Sequence, residues 1–195
     1  MVSQHRNAAI AEDAILDAAY DLVLAVGMRR VNMADLARAG GVSRATLYRR
    51  FANVDAVVAA LTTRELGAIV AEALGRPAKD ARTTVVRGIV STVQAVRTHP
   101  LTRKIIDVDP EFLLPYLLDR PGTSTIAQLD VLEAALRTGD GSIRRGNRAA
   151  QARALWLTAW SFALTAPVLS DDRVDLAARA RAVRAMLDGD LEPAA

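Results

Sequence analysis

The sequence predicts an all-α protein. Three observations carry that prediction. Alanine and leucine dominate while aromatic residues are sparse, apolar positions recur at steps of three and four, and no strand-like alternation persists beyond a few residues. Glycine and proline fall at intervals between the periodic stretches, where they punctuate helices.

The elements follow in order. Ala11, Ala14, Ile15, Ala18, Ala19, Leu22, Val23 and Val26 form one stripe, with Asp13, Asp17 and Asp21 down another face. This is an amphipathic first helix closed by Gly27. Asn32 is placed to cap a short helix over 33–39, with Asp35 at its positive end and Val31 positioned to staple onto Leu36. Gly40 and Gly41 supply a turn. Ser43 caps a third helix, Val42 and Leu47 repeat the staple spacing, and Leu47 and Phe51 are its expected buried anchors. Asn53 caps a longer fourth helix that reaches about Leu74 before Gly75 and Pro77.

Beyond the boundary at 75–79, helices are expected over 81–98, 101–107, 110–119, 124–137, 148–166 and 173–188. The breakers between them are His99-Pro100, Asp109-Pro110, Pro121-Gly122, residues 139–146 and residues 167–172. His99 is expected to cap a helix end, and Asp171-Asp172 to face the positive end of the last helix. The tail from Gly189 is expected to fray.

Composition narrows the function classes. The absence of cysteine excludes disulfides and thiolate metal sites, and two histidines leave little for zinc. No window approaches the roughly 20 uninterrupted apolar residues of a membrane span, so a cytoplasmic protein with no membrane partner is expected. There is no Gly-rich phosphate loop, no His/Cys metal spacing and no Gly-x-Ser-x-Gly, so neither an enzyme nor a cofactor is expected. Net charge is only +3, but residues 29–50 carry six arginines (Arg29, Arg30, Arg38, Arg44, Arg49, Arg50) against one acid, Asp35. That local balance of +5 predicts an anion-binding face.

The stretch from Asn32 to Phe51 has the layout of a helix-turn-helix, two short capped helices meeting at a glycine turn. In such a motif the second helix lies in the major groove while the first crosses the phosphate backbone. With Leu47 and Phe51 inward, Ala45, Tyr48 and Arg49 turn outward, flanked by Arg44 and Thr46. Arg44 and Arg49 suit bidentate bonds to guanine or pairing with phosphates, and Ala45 and Thr46 suit a thymine methyl. Tyr48 and Ser43 suit phosphate oxygens, and so does Arg50 at the edge. Asn32 and Met33, at the start of the backbone-crossing helix, complete the expected contacts to double-stranded DNA.

Residues 9–70 resemble the N-terminal domain of the TetR family of bacterial regulators. The resemblance is carried by Ile15 to Ala19, Gly27, Ala34 to Ala37, Gly41 to Ser43 and Thr46 to Phe51. Two positions depart from it. Val54 stands where the family usually has lysine, and Arg50 where it often has histidine or tyrosine. The resemblance implies a three-helix helix-turn-helix domain over 1–52, a linking helix over 53–75, and a helical bundle over 76–195 for effector binding and dimerisation. It further implies a homodimeric repressor released from its operator by a small apolar or amphipathic molecule. As the single covalent link, the fourth helix would carry the coupling.

Two stripes suit a dimer interface of the last two helices, or packing inside the bundle. They are Leu155, Trp156, Ala159, Trp160 and Ala163, and Leu176, Ala180, Val183 and Leu187. Phe112, Tyr116, Trp156 and Trp160 with Gln94 and Gln128 are the candidate effector lining, and equally describe an ordinary core. Two alternatives remain open at this point: a DNA-free helical module that docks protein, and a ligand-independent regulator.

Overall fold

The computed structural model describes residues 2–76, 78–166, 168–169 and 175–193, with side chains from Glu12 onward except that of Leu176. Among these residues there are ten α-helices and no strands. They are α1 (Val2–Val26), α2 (Met33–Ala39), α3 (Arg44–Arg50), α4 (Val54–Leu74), α5 (Ala81–Thr98), α6 (Pro100–Val108), α7 (Leu114–Leu118), α8 (Thr123–Arg137), α9 (Arg148–Thr165) and α10 (Leu176–Leu191). No described helix is long and apolar enough to cross a membrane.

The caps form where short polar side chains precede apolar runs. Asn53 Oδ1 accepts from the Ala56 amide at 2.9 Å, and Asn147 Oδ1 from the Ala150 amide at 3.1 Å. The last helix begins at Leu176, with Asp175 accepting from the Ala178 amide at 2.6 Å. The expected start at 173 and the Asp171-Asp172 pair lie outside the described residues. The helix expected over 110–119 divides into a 3-10 turn, Pro110–Leu113, followed by α7. Pro115 has no N–H to continue an α-helical ladder, so the preceding turn tightens.

A further 3-10 turn, Met28–Arg30, stands between α1 and α2 and was not expected from the sequence. Gly27 introduces it at φ +80. A Cβ there would lie 3.0 Å from Asp109 Oδ2 and 3.1 Å from Val108 Cγ1, so both the backbone angle and the close approach require glycine.

The chain forms two compact units, residues 1–65 with 99–124 and residues 66–98 with 125–195. This differs from the single division expected at 75–79. Residues 99–124 belong with the first unit because Leu101 and Ile105 of α6 are buried in its core beside Ile15, Val23, Leu36, Leu47, Val57 and Leu61. The chain therefore passes between the units three times, and α4 is not the only covalent link. The second unit has its own core, built from Val85, Val86 and Ile89 of α5, Leu136, Leu155, and Val183, Leu187 and Leu191 of α10.

Candidate DNA-binding surface

Two local hydrogen-bond sets hold the helix-turn-helix. Asn32 Oδ1 accepts from the Ala34 and Asp35 amides at 3.0 and 2.9 Å, while its Nδ2 donates to Asp35 Oδ2 at 2.7 Å. This reciprocal capping leaves the Asn32 side chain engaged in the helix start. Between α2 and α3, Gly41 takes φ +64, and the Val42 amide donates to the Ala37 carbonyl at 3.0 Å. Ser43 Oγ accepts from the Thr46 amide at 3.1 Å and shares a hydrogen bond with Thr46 Oγ1 at 2.9 Å.

Leu47 is fully buried and Phe51 nearly so, which fixes the rotation of α3. Arg44, Ala45, Tyr48 and Arg49 then face solvent, with Tyr48 55% exposed. Thr46 is half-buried.

Two expected contact residues are placed elsewhere. Met33 is buried in the first unit's core, 8% exposed, because its side chain points to the apolar side of α2. Arg50 pairs with Glu12 of α1 at 2.8 Å, with its side chain only 17% exposed, so it ties α3 to α1.

Pairing also reduces the basic patch. Arg29 is held by Asp109 at 3.7 Å and by Glu111, Arg38 by Asp35, and Arg50 by Glu12. Of the six arginines, Arg30, Arg44 and Arg49 have no ion pair among the described residues, and two of these lie on α3.

Asp109 is the residue that sequence reasoning missed. It is 2% exposed, accepts from the Met28 amide at 2.7 Å, and so fastens the turn leading into α2. The only signal was its position before Pro110, which reads as a helix breaker. His99 is another correction. It stands at the N-cap position of α6 but makes no side-chain cap; its ring lies edge-on to Tyr20, with Nε2 3.5 Å from Glu65 Oε2.

The second unit holds a partly open apolar cavity of about 60 Å³ beside Trp156 and Trp160. Its walls include Val70, Ile89, Val93 and Leu132, and the Trp156 indole N–H donates to Gln128 Oε1 at 3.0 Å. Gly88 also lines it, and a Cβ there would fall 2.5 Å from Leu74 Cδ2. Of the six candidate lining residues, Gln128, Trp156 and Trp160 meet here. Gln94 lines a different cleft. Phe112 and Tyr116 lie in the first unit with ring centroids 5.4 Å apart, because their segment packs on that unit's core.

The stripes on the last two helices pack inward at the positions described, the Leu176 side chain lying outside the described residues. Leu155, Val183 and Leu187 are buried, with Trp156 and Ala159 packed against them. Ala163 is buried in a smaller cluster with Trp160 packed on it. Among the described side chains of α9 and α10, Leu157 and Met186 are the large apolar ones left exposed.

Comparison with known proteins agrees with this arrangement. The family model described as bacterial regulatory proteins, tetR family, matches residues 15–61. An HTH-type transcriptional regulator of Mycobacterium bovis is 31% identical over 97% of this chain and 98% of its own length. A Mycobacterium tuberculosis regulator is 30% identical over the same shares. Among solved structures, the TetR-family repressor QsdR of R. erythropolis superposes with a TM-score of 0.72 at 16% identity, covering 93% of this chain and 94% of that one. The n-alkane-related TetR-family repressor AlkX of Dietzia gives 0.64 at 22% identity, over 91% and 95%. FadR of Bacillus subtilis, solved with stearoyl-CoA, gives 0.58 at 19% identity, over 92% and 98%. The capped helix-turn-helix, the all-helical fold and the nearly full-length relatives lead to one conclusion: the chain belongs to the TetR family of bacterial transcriptional regulators and is a DNA-binding regulator.

Proposed function

We propose that this regulator is a repressor that grips duplex DNA as a homodimer through α3 and lets go when a small apolar molecule enters the tryptophan-lined cavity. The observation that carries the reading is the outer face of α3, where Arg44 and Arg49 are exposed, lack ion pairs and share their helix with no acid. A second motif helix of this kind enters the major groove. Arg44 and Arg49 meet guanine edges or phosphates, Tyr48 a phosphate oxygen, and Ala45 a thymine methyl. Ser43 and Asn32 act by fixing the helix starts.

Two copies join through the outer faces of α9 and α10, around Leu157 and Met186, and space their recognition helices about one DNA turn, roughly 34 Å. The cavity of about 60 Å³ is smaller than an organic effector, and in this reading the effector widens it on entry. That widening supplies the differential affinity for two conformations without which a ligand shifts nothing. The stearoyl-CoA complex of the Bacillus subtilis neighbour supports reading the second unit as a ligand-binding one.

The test is selection of duplexes from a random pool by the full-length protein, followed by binding titrations. The expected result is a recovered palindromic site, bound by the wild type and lost in Tyr48→Ala and Arg49→Ala while both remain dimers. Failure to enrich any duplex, or near wild-type binding by both variants, overturns the reading in favour of a protein-docking module.

A further inference from the structure

We propose that the second unit carries a separate cleft for an amphipathic organic monoanion, anchored by Arg97. The cleft, about 350 Å³, lies between α5, α9 and the start of α10. Val90, Val93, Phe162 and Val183 give it apolar walls, and Gln94, Thr98 and Arg97 give it a polar side. Among the described residues it shares only Val93 with the tryptophan cavity, and it stands independently of the effector reading above.

Arg97 is the reason for naming an anion. Its Nε is buried, and among the described residues the half-buried side chain makes no hydrogen bond or ion pair. A buried donor without an acceptor carries a desolvation penalty until one arrives. No described residue lining the cleft is acidic.

The remaining chemistry narrows the ligand. A neutral apolar molecule would fill the walls and leave Arg97 unsatisfied, while an inorganic anion would satisfy Arg97 and leave the walls wet. A carboxylate matches the guanidinium fork with two parallel hydrogen bonds. At about 30 Å³ per water-sized group, the cleft has room for roughly a dozen non-hydrogen atoms. The geometry therefore suits a medium-length aliphatic or aryl carboxylate, with its head at Arg97 and its body against Phe162.

Calorimetric titration of the full-length protein with decanoate and with 1-decanol tests this, because the two probes differ only in the head. Wild type is expected to bind decanoate at least about tenfold more tightly than decanol. Arg97→Gln should remove that preference, and Arg97→Lys, which keeps the charge without the fork, should retain part of it. Equal binding of the two probes by wild type, no decanoate binding at millimolar concentration, or undiminished binding by Arg97→Gln overturns the proposal. Should Arg97→Gln not fold, Ala180→Leu fills the cleft without touching the charge and must abolish decanoate binding. Ala159→Leu, which narrows the tryptophan cavity instead, must leave it intact. Loss in Ala159→Leu alone would place decanoate in that cavity and overturn the cleft, while leaving the effector reading standing.

Discussion

Neighbouring arginines of α3 should fail in different ways when removed. Arg49 is exposed and unpaired, whereas Arg50 has a side chain 17% exposed and bonded to Glu12. Each phosphate neutralised contributes about 0.9 to the slope of log affinity against log salt. A homodimer carries two copies, so Arg49→Ala lowers that slope by about 1.8 if Arg49 pairs with phosphate. If it reads guanine, the slope holds and one base position relaxes, at about 1–3 kcal/mol per subunit. Over both subunits that is roughly thirty-fold to twenty-thousand-fold in affinity. Arg50→Ala removes a partly exposed ion pair and the packing of its stem, at about 1 kcal/mol. It should lower the melting temperature by about 2–4 °C and leave the salt slope unchanged. Fluorescence anisotropy of the selected duplex between about 50 and 200 mM salt, paired with thermal melts, separates the two. If Arg50→Ala flattened the slope as much as Arg49→Ala while its melt stayed fixed, the assignment of α3 faces would be wrong.

Asp109→Ala orphans the buried Met28 amide and leaves Arg29 with Glu111 alone, at about 3 kcal/mol in all, or roughly 6–12 °C in a thermal melt. Asp109→Asn keeps an acceptor and should lose less than half as much; equal losses would deny the hydrogen bond its role. Gln128→Leu strands the half-buried Trp156 indole N–H, at about 1–2 kcal/mol, and should shift tryptophan emission to the blue; an unmoved melt and spectrum would refute it. Asp80 and Asp140 are both held below the ordinary aspartate value of 3.8, Asp80 by hydrogen bonds from the Thr83 side chain and then its amide, Asp140 by those from Ser142. A lowered carboxyl stabilises fully above its unfolded value and loses that contribution as pH falls through the folded one. Melts should therefore be insensitive to these groups above about pH 5 and decline below about pH 4, with a smaller decline in Asp80→Asn.

What the sequence made legible was local. Asn32, Ser43, Asn53 and Asn147 each cap through amides two or three residues away, so the cap and its target share one window. The outward positions of α3 follow from Leu47 and Phe51 by helical rotation. Illegible features depend on partners far along the chain. Arg50 meets Glu12 across 38 residues, and Met28 meets Asp109 across 81. No composition window registers such pairs, so the basic patch looked larger than its unpaired part. Met33 was misplaced for a related reason: its role depends on which side of α2 faces α1, and a seven-residue helix shows too little periodicity to decide that. The division into units also escaped, because breakers at His99-Pro100 and Pro121-Gly122 mark ends of helices without saying which core receives them.

The three passages between the units change how coupling should be sought. Residues 99–124 belong to the first unit and are flanked in the chain by α5 and α8, and both of those helices line the tryptophan cavity through Gly88, Ile89, Gln128 and Leu132. The same segment carries Asp109, whose carboxylate holds the Met28 amide just ahead of α2. A displacement of α5 or α8 thus has a route to the helix-turn-helix that does not use α4, covalent as far as residues 99–124 and completed by the Asp109–Met28 hydrogen bond. Gly88→Leu tests it without any ligand. Its Cβ alone would meet Leu74 Cδ2 at 2.5 Å, so the Leu74 side chain must turn aside and the longer side chain at 88 takes up space in the cavity, as an occupant would. The expected result is DNA affinity reduced about tenfold or more in a protein that still melts cooperatively, and a smaller reduction when Gly88→Leu is added to Asp109→Ala, in which the link at Met28 is already cut. Unchanged affinity in Gly88→Leu would detach the cavity from DNA binding altogether. An equal loss in the two backgrounds would return the coupling to α4.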